Sequence, residues 1–333
     1  MKAKTIIKRS AQFLGMLLLG VIIALLGMLT IIFYGPSKTA RDLLVVSVNE
    51  TSAGKPIARI FFSQDKIDEI IEKNTVRSNG TVTDVSLITI PEKKDTAYED
   101  DNIKIVNIQG NTYNGKLMIV NDPSLVFLGT LDSYGEDSVG LTLMNMMKRD
   151  HAIGGINAGG FLDTAGMGNG GVPLGLVIKD GQLMYGDYEE TMYEIVGFDY
   201  NNRLMLGGMT AKEAIEKGIK EAMSFGPLLI VNGESVNVTG TGGGLNPRTA
   251  IGQTADGTIL LLVIDGRQPT SLGATFKDII EIMHEYGAVN AANLDGGSST
   301  LMVYDGKILN SSVSLYGPRQ LPTAFLVRGE KDE

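Results

Sequence analysis

The sequence predicts an α+β fold: a twisted, mainly antiparallel sheet with a few packed helices, preceded by one N-terminal transmembrane helix. Three observations predict it. Residues Phe13 to Tyr34 form an almost wholly apolar run without a charge. Beyond residue 103, short apolar runs alternate with Asn-Gly and Asp-Gly dipeptides, which mark hairpins because both residues tolerate positive φ. Only three helix-period segments interrupt those runs, so the regular strand–helix alternation of a doubly wound parallel sheet is missing.

The elements follow in order. Residues 1–12 are a basic tail with Lys2, Lys4, Lys8 and Arg9. The 22 residues 13–34 span about 33 Å as a helix, enough for a hydrocarbon core of about 30 Å. The run is too long for a signal-peptide core, and no A-x-A site follows it. Four cations before the span and two soon after it, Lys38 and Arg41, favour a cytoplasmic N-terminus. The rest of the chain, 25 basic against 38 acidic residues, is then an acidic extracytoplasmic part.

Residues 35–102 read as a stalk or small accessory region without a chemical signature. Leu43–Val48 is a short apolar run. Asp65–Asn74 places Ile67, Ile70 and Ile71 on one helical stripe. Val82–Ile90 reads as a strand ended by Pro91, and Glu92–Asp101 as a charged, solvated linker.

Residues 103–330 form the main domain. Turns are expected at Asn114-Gly115, Asp180-Gly181, Asn232-Gly233, Asp256-Gly257 and Asp305-Gly306. Helices are expected over Ser138–Asp150, over Thr210–Met223 behind a Thr210/Glu213 capping box, and over Thr275–Tyr286.

Composition narrows the chemistry. The 333 residues contain no cysteine, which excludes disulfides, thiolate metal sites and cysteine nucleophiles. The two histidines, His151 and His284, are far apart, which disfavours a histidine metal site, and no EF-hand pattern appears. No cofactor is expected, although the many carboxylates and loop carbonyls leave calcium open. A net charge of −9 argues against nucleic-acid partners. The chain has no P-loop and no G-x-S-x-G elbow.

Four stretches are too polar and glycine-rich for ordinary hairpins. GGINAGGFLD (154–163) runs a strand into Asn157, with Gly159 and Gly160 allowing close backbone approach. GTGGGLNPRTAIG (240–252) holds Arg248 behind a proline, a guanidinium suited to phosphate or carboxylate. LLLVIDGRQ (260–268) delivers Asp265 and Arg267 at a strand end. NLDGGSST (293–300) presents Asp295, Gly296 and Ser298 in a loop able to tune a carboxylate. Each has a plainer reading as a bulge, a surface ion pair or an Asx-turn.

Taken in this order, INAGGF, NPRTAIG, IDGRQ and NLDGGSS, closed by Pro318-Arg319-Gln320, resemble the phosphodiester glycosidase family over roughly residues 103–329. The resemblance implies hydrolysis of the bond between the anomeric carbon of a sugar, N-acetylglucosamine-like, and a phosphodiester. It implies Asp265 and Asp295 as catalytic carboxylates, with the choice of nucleophile, base or electrostatic stabiliser open. Asn157, Arg248, Arg267, Arg319, Gly159, Gly296 and Ser298 are the implied substrate-binding residues. The implied partner is a sugar-1-phosphodiester or a cell-surface glycopolymer, since bacterial relatives carry the label exopolysaccharide biosynthesis. That label keeps a non-catalytic polysaccharide binding or assembly protein as the alternative. Ser298 stands where relatives usually have a third glycine, and Asp278 where Glu is common.

Overall fold

The computed structural model describes residues 2–51, 54–78, 80–90, 102–163, 167–311, 313–314 and 317–329, with side chains from residue 9 onward. The charged stretch Glu92–Asp101 lies outside the described residues.

Helix α1 (Lys2–Tyr34) contains the apolar run, and its stretch Arg9–Tyr34 is long and apolar enough to cross a membrane. Its large side chains point outward, with Phe13, Leu18 and Ile31 all more than half exposed. A surface of that kind is not a core helix.

Residues 38–73 fold into three helices, α2 (Lys38–Asn49), α3 (Lys55–Phe61) and α4 (Gln64–Lys73). Ser37 caps α2 by accepting from the Ala40 N–H, and Ser63 caps α4 from Lys66. Phe33, Val45, Val46, Ala58, Ile67 and Ile70 form one buried cluster. The helix predicted over Asp65–Asn74 is therefore present, and its isoleucine stripe faces inward. Several bonds join this module to the rest: Val76 pairs with Val238, the Thr241 N–H donates to Asn74 Oδ1 at 2.8 Å, and the Leu245 N–H donates to Ser47 Oγ at 2.8 Å.

The main domain is built from antiparallel sheets. A seven-stranded sheet runs in the order 234–235, 228–231, 288–294, 248–254, 259–264, 114–120, 103–109. One five-stranded sheet contains 152–157 between 302–304 and 323–328, and another contains 193–199 between 204–209 and 219–224. Alternation along Leu260–Ile264 shows how the layers form. Leu261 and Val263 enter a core with Ile156, Phe198 and Phe325, while Leu260, Leu262 and Ile264 meet helix side chains on the other face.

Helix α5 (Leu143–Arg149) is shorter than the predicted Ser138–Asp150, because Thr142 is its cap. Helix α6 (Ala211–Glu216) has the predicted capping box, yet Gly218 (φ +82°) ends it and Ile219–Ser224 is a strand. The tertiary pairing of that segment with Tyr193–Asp199 overrides its helical spacing. Helix α7 (Phe276–Glu285) keeps Asp278 as a cap, its carboxylate accepting from the Thr275 N–H and hydroxyl.

Two further expectations change. Val82–Ile90 contains a 3-10 turn at Val85–Leu87 instead of a strand, closed by Asp84 accepting from the Ser86 N–H. Asn114 and Gly115 belong to a strand rather than a turn. Gly115 pairs there with Ile264, where a Cβ would lie 2.5 Å from the Val263 carbonyl oxygen. At Asp180-Gly181, Asn232-Gly233 and Asp305-Gly306 both residues have positive φ, as the hairpin reading requires.

Candidate active site

Antiparallel pairing brings the motifs together. Strand 248–254 begins where its two neighbours end, with Arg248 opposite Ile264 and Thr249 opposite Leu294. The N-P-R segment, the D-G-R segment and the L-D-G-G loop therefore share one sheet edge. A cavity of about 690 Å³ opens there, lined by Arg248, Arg267, Asp295, Gly296, Ser298 and Arg319 among others.

Asp295 is the partly buried acid of this cavity. Its N–H donates to the Ala158 carbonyl at 2.9 Å, and its own carbonyl accepts from Asn157 Nδ2 at 2.6 Å. Burial pushes the carboxyl up to about 6. The Ser299 hydroxyl, Arg319 and the Gly296 N–H pull the other way, and Asp163 adds to the rise.

Arg319 is held by its neighbours. It pairs with Asp163 at 3.1 Å, donates to Ser298 Oγ at 3.0 Å, and lies over the Phe161 ring. Ser298 thus acts as an anchor for this guanidinium.

Arg248 is almost fully buried and stacked 3.9 Å from the centre of the Phe276 ring. Its Nη2 donates to Glu50 Oε2 and to the Gly244 carbonyl, both at 2.8 Å, and its Nε to the Ala274 carbonyl. Burial pulls its pKa down, while Glu50 opposes that shift.

Arg267 differs from both. Its Nε and Nη2 donate to Asn246 Oδ1 at 3.2 and 2.9 Å, and among the described residues no carboxylate lies within ion-pair distance. It sits in the left-handed region (φ 55°), beside Gly297 (φ 62°), where an added Cβ would come 3.2 Å from Nη1. Burial, then the charge on Arg248, lowers its pKa, and Glu50 counters them.

Not every residue singled out from the sequence lines the cavity. Asn157 is fully buried and spent within the protein: besides holding the Asp295 carbonyl, its Oδ1 accepts from Thr249 Oγ1 and the Leu301 N–H. Its placement makes it a support for the Asp295 loop. Gly159 donates its N–H to Thr323 Oγ1 and does not line the cavity. Asp265 points to a different loop, its Oδ1 accepting from the Ser311 N–H at 2.8 Å and from Asn310 Nδ2. Burial raises its pKa against those bonds. Asp265 follows the strand end at Ile264, but the loop that supplies its donors is remote in sequence.

Three contributors had no assigned role. Asp163 closes a quoted stretch and pairs with Arg319. Asn246, inside the N-P-R motif, links Glu50 to Arg267. Glu50 comes from the end of α2, a region with no chemical signature, and nothing in the sequence marks it. Among the described residues, no cluster of three or more His, Asp or Glu side chains is arranged to hold a metal.

Comparison with known proteins bears on the family and the fold. A family model described as phosphodiester glycosidase matches residues 150–328. The SPbeta prophage-derived uncharacterized protein YomE of Bacillus subtilis (strain 168) is 30% identical over 269 residues, covering 74% of this chain. The chain spans only 39% of that relative's length. The catalytic domain of zebrafish N-acetylglucosamine-1-phosphodiester alpha-N-acetylglucosaminidase, auto-inhibited by its pro-peptide, is similar in fold, with TM-score 0.53 and 20% identity over 69% of this chain and 83% of that one.

Proposed function

The chain belongs to the phosphodiester glycosidase family, and from that premise we propose that it hydrolyses the bond between a sugar anomeric carbon and a phosphodiester. One observation carries the reading: among the described residues the cavity holds one guanidinium without a carboxylate partner, Arg267, and one partly buried carboxylate without a bonded cation, Asp295. A phosphodiester carries one negative charge, and the departing sugar develops positive charge at its anomeric carbon. Arg267 receives the phosphate, and Asp295 faces the anomeric carbon.

The bond electrons pass to the phosphate oxygen, which leaves as a phosphomonoester. Water adds to the anomeric carbon and yields the free sugar. A phosphate is a good leaving group, so the site needs no strongly acidic donor to protonate it. Asp295, ionised above about 6, serves the sugar side as base, nucleophile or electrostatic partner. The Arg319–Asp163 pair and the Asn157 bridge hold its loop in place.

The proposed substrate is an N-acetylglucosamine-like 1-phosphodiester, alone or within a cell-envelope glycopolymer such as an exopolysaccharide. Helix α1 is proposed as a single-pass anchor with a cytoplasmic N-terminus and an extracytoplasmic catalytic domain, the arrangement of a bacterial envelope enzyme. Residues 35–102 join the two and bring Glu50 to the cavity, and residues 103–330 supply the remaining described lining apart from Thr51. Incubating the full chain in detergent with GlcNAc-α-1-phosphodiesters should release free sugar. Binding of those diesters without release, across several sugars, would replace the glycosidase with a polysaccharide-binding protein. Cysteines placed at residue 5 and residue 200 should react with an impermeant maleimide in intact cells only at the latter.

A further inference from the structure

The cavity contains a built anion site that is already filled. The Gly244 N–H donates to Glu50 Oε1 at 3.1 Å, and Asn246 Nδ2 and Arg248 Nη2 donate to Glu50 Oε2 at 2.6 and 2.8 Å. Glu50 also lines the cavity. Its helix is fastened to the domain by the Ser47–Leu245 bond, by Asn74 and by the pairing of residues 76–77 with 237–238. A Cβ at Gly244 would lie 2.5 Å from the Ser47 backbone, so the two chain segments touch closely. A carboxylate on such a seat is a fixed member of the site.

We propose that Glu50 is a specificity-determining counter-ion: it neutralises Arg248 permanently, so that among the described residues Arg267 is the one cavity cation without a carboxylate partner, and the site selects a monoanionic phosphodiester over a dianionic phosphomonoester. The inference rests on the glycosidase reading and deepens it. The substrate of such a reaction carries one phosphate charge, and its phosphate product near pH 8 carries nearly two, because a phosphomonoester has its second pKa near ~6. Arg319 is already matched by Asp163. With Arg248 matched by Glu50, the second charge of the product finds no partner, which weakens product binding relative to substrate. The same carboxylate orients the site. By accepting from Asn246 Nδ2 it turns the amide so that Oδ1 receives Arg267.

The test compares two small probes near pH 8 by calorimetry on the full chain in detergent, dimethyl phosphate (monoanion) and methyl phosphate (dianion). Glu50→Gln should tighten methyl phosphate about tenfold at low salt and dimethyl phosphate much less, since an added unit charge acts on twice the ligand charge. Arg248→Gln leaves Glu50 unmatched and should weaken methyl phosphate by a similar factor. The double variant Glu50→Gln/Arg248→Gln should return the ratio of the two affinities to the wild-type value, and it serves where a single variant does not fold. An unchanged ratio in the single variants would overturn the proposal, as would a shifted ratio in the double variant. So would a Glu50→Gln protein that binds both probes equally tighter and turns over diester faster, the behaviour of a removable plug. Wild-type protein that binds dimethyl phosphate but cleaves no sugar diester would refute the glycosidase reading and leave the charge-matching result standing.

Discussion

Asp295 must be unfavourable for stability if its burial serves catalysis, and Asp295→Asn measures by how much. The folded carboxyl titrates at about 6 against an ordinary 3.8. A folded pKa above the unfolded one means that the native state binds more protons between those values. Stability therefore falls as pH rises through that window and stays reduced above it. A shift of about two units at ~1.4 kcal/mol each amounts to roughly 3 kcal/mol at neutral pH. Asparagine keeps the shape and removes the charge, so the variant should be more stable than wild type at neutral pH by about that order. That gain is offset in part by weaker bonds to Ser299 and Gly296. For a domain of this size the gain corresponds to a melting temperature roughly 5 °C higher. Near pH 3, below both the unfolded and the folded pKa, native and unfolded carboxyls are largely protonated and the difference should nearly vanish. Near-UV circular dichroism melts of the full chain in detergent at both pH values would show it. A variant that melts below wild type at neutral pH would refute the account of Asp295 as a strained, buried acid.

Other consequences follow from the same geometry. Sugar release should rise with pH through about 6 and fall to roughly a tenth of its plateau one unit below. Asp163→Asn, by removing a negative neighbour, should move that midpoint to lower pH in a rate-against-pH profile. Arg267→Ala removes the charge-assisted contacts to phosphate and should raise KM for a diester by about 10- to 100-fold in steady-state kinetics. Asp265→Ala frees the Ser311 N–H and Asn310, so it should cost about 1–2 kcal/mol in a denaturant titration. It should leave the rate of sugar release within about threefold.

Much of this arrangement was legible in the residues. Asn-Gly and Asp-Gly pairs report φ directly, so the turns at 180, 232 and 305 follow from local chemistry. Apolar runs between them gave antiparallel strands. The motifs 246–248, 265–267 and 293–298 each sit at a strand end, and antiparallel pairing then forces those ends onto one edge. What could not be read is set by distant partners. Ile219–Ser224 continues a helical pattern but pairs as a strand. Asp265 and Asn157 lie at strand ends, yet the first is claimed by residues 310–311 and the second by Thr249, Leu301 and the Asp295 carbonyl. Glu50 reaches Arg248 from almost two hundred residues away through the docking of α2, and no local pattern encodes that contact. The role of Ser298 emerges only once Arg319 is seen donating to it.

The most direct test is a product analysis. Full-length protein is incubated near pH 7.5 with a GlcNAc-α-1-phosphodiester, and both products are followed by phosphorus and proton NMR. The proposed glycosidase activity predicts free sugar and phosphomonoester appearing in equal amounts, and loss of both in Asp295→Asn by orders of magnitude. A wild-type protein that leaves the diester intact, or an Asp295→Asn protein that cleaves it at the wild-type rate, would contradict it.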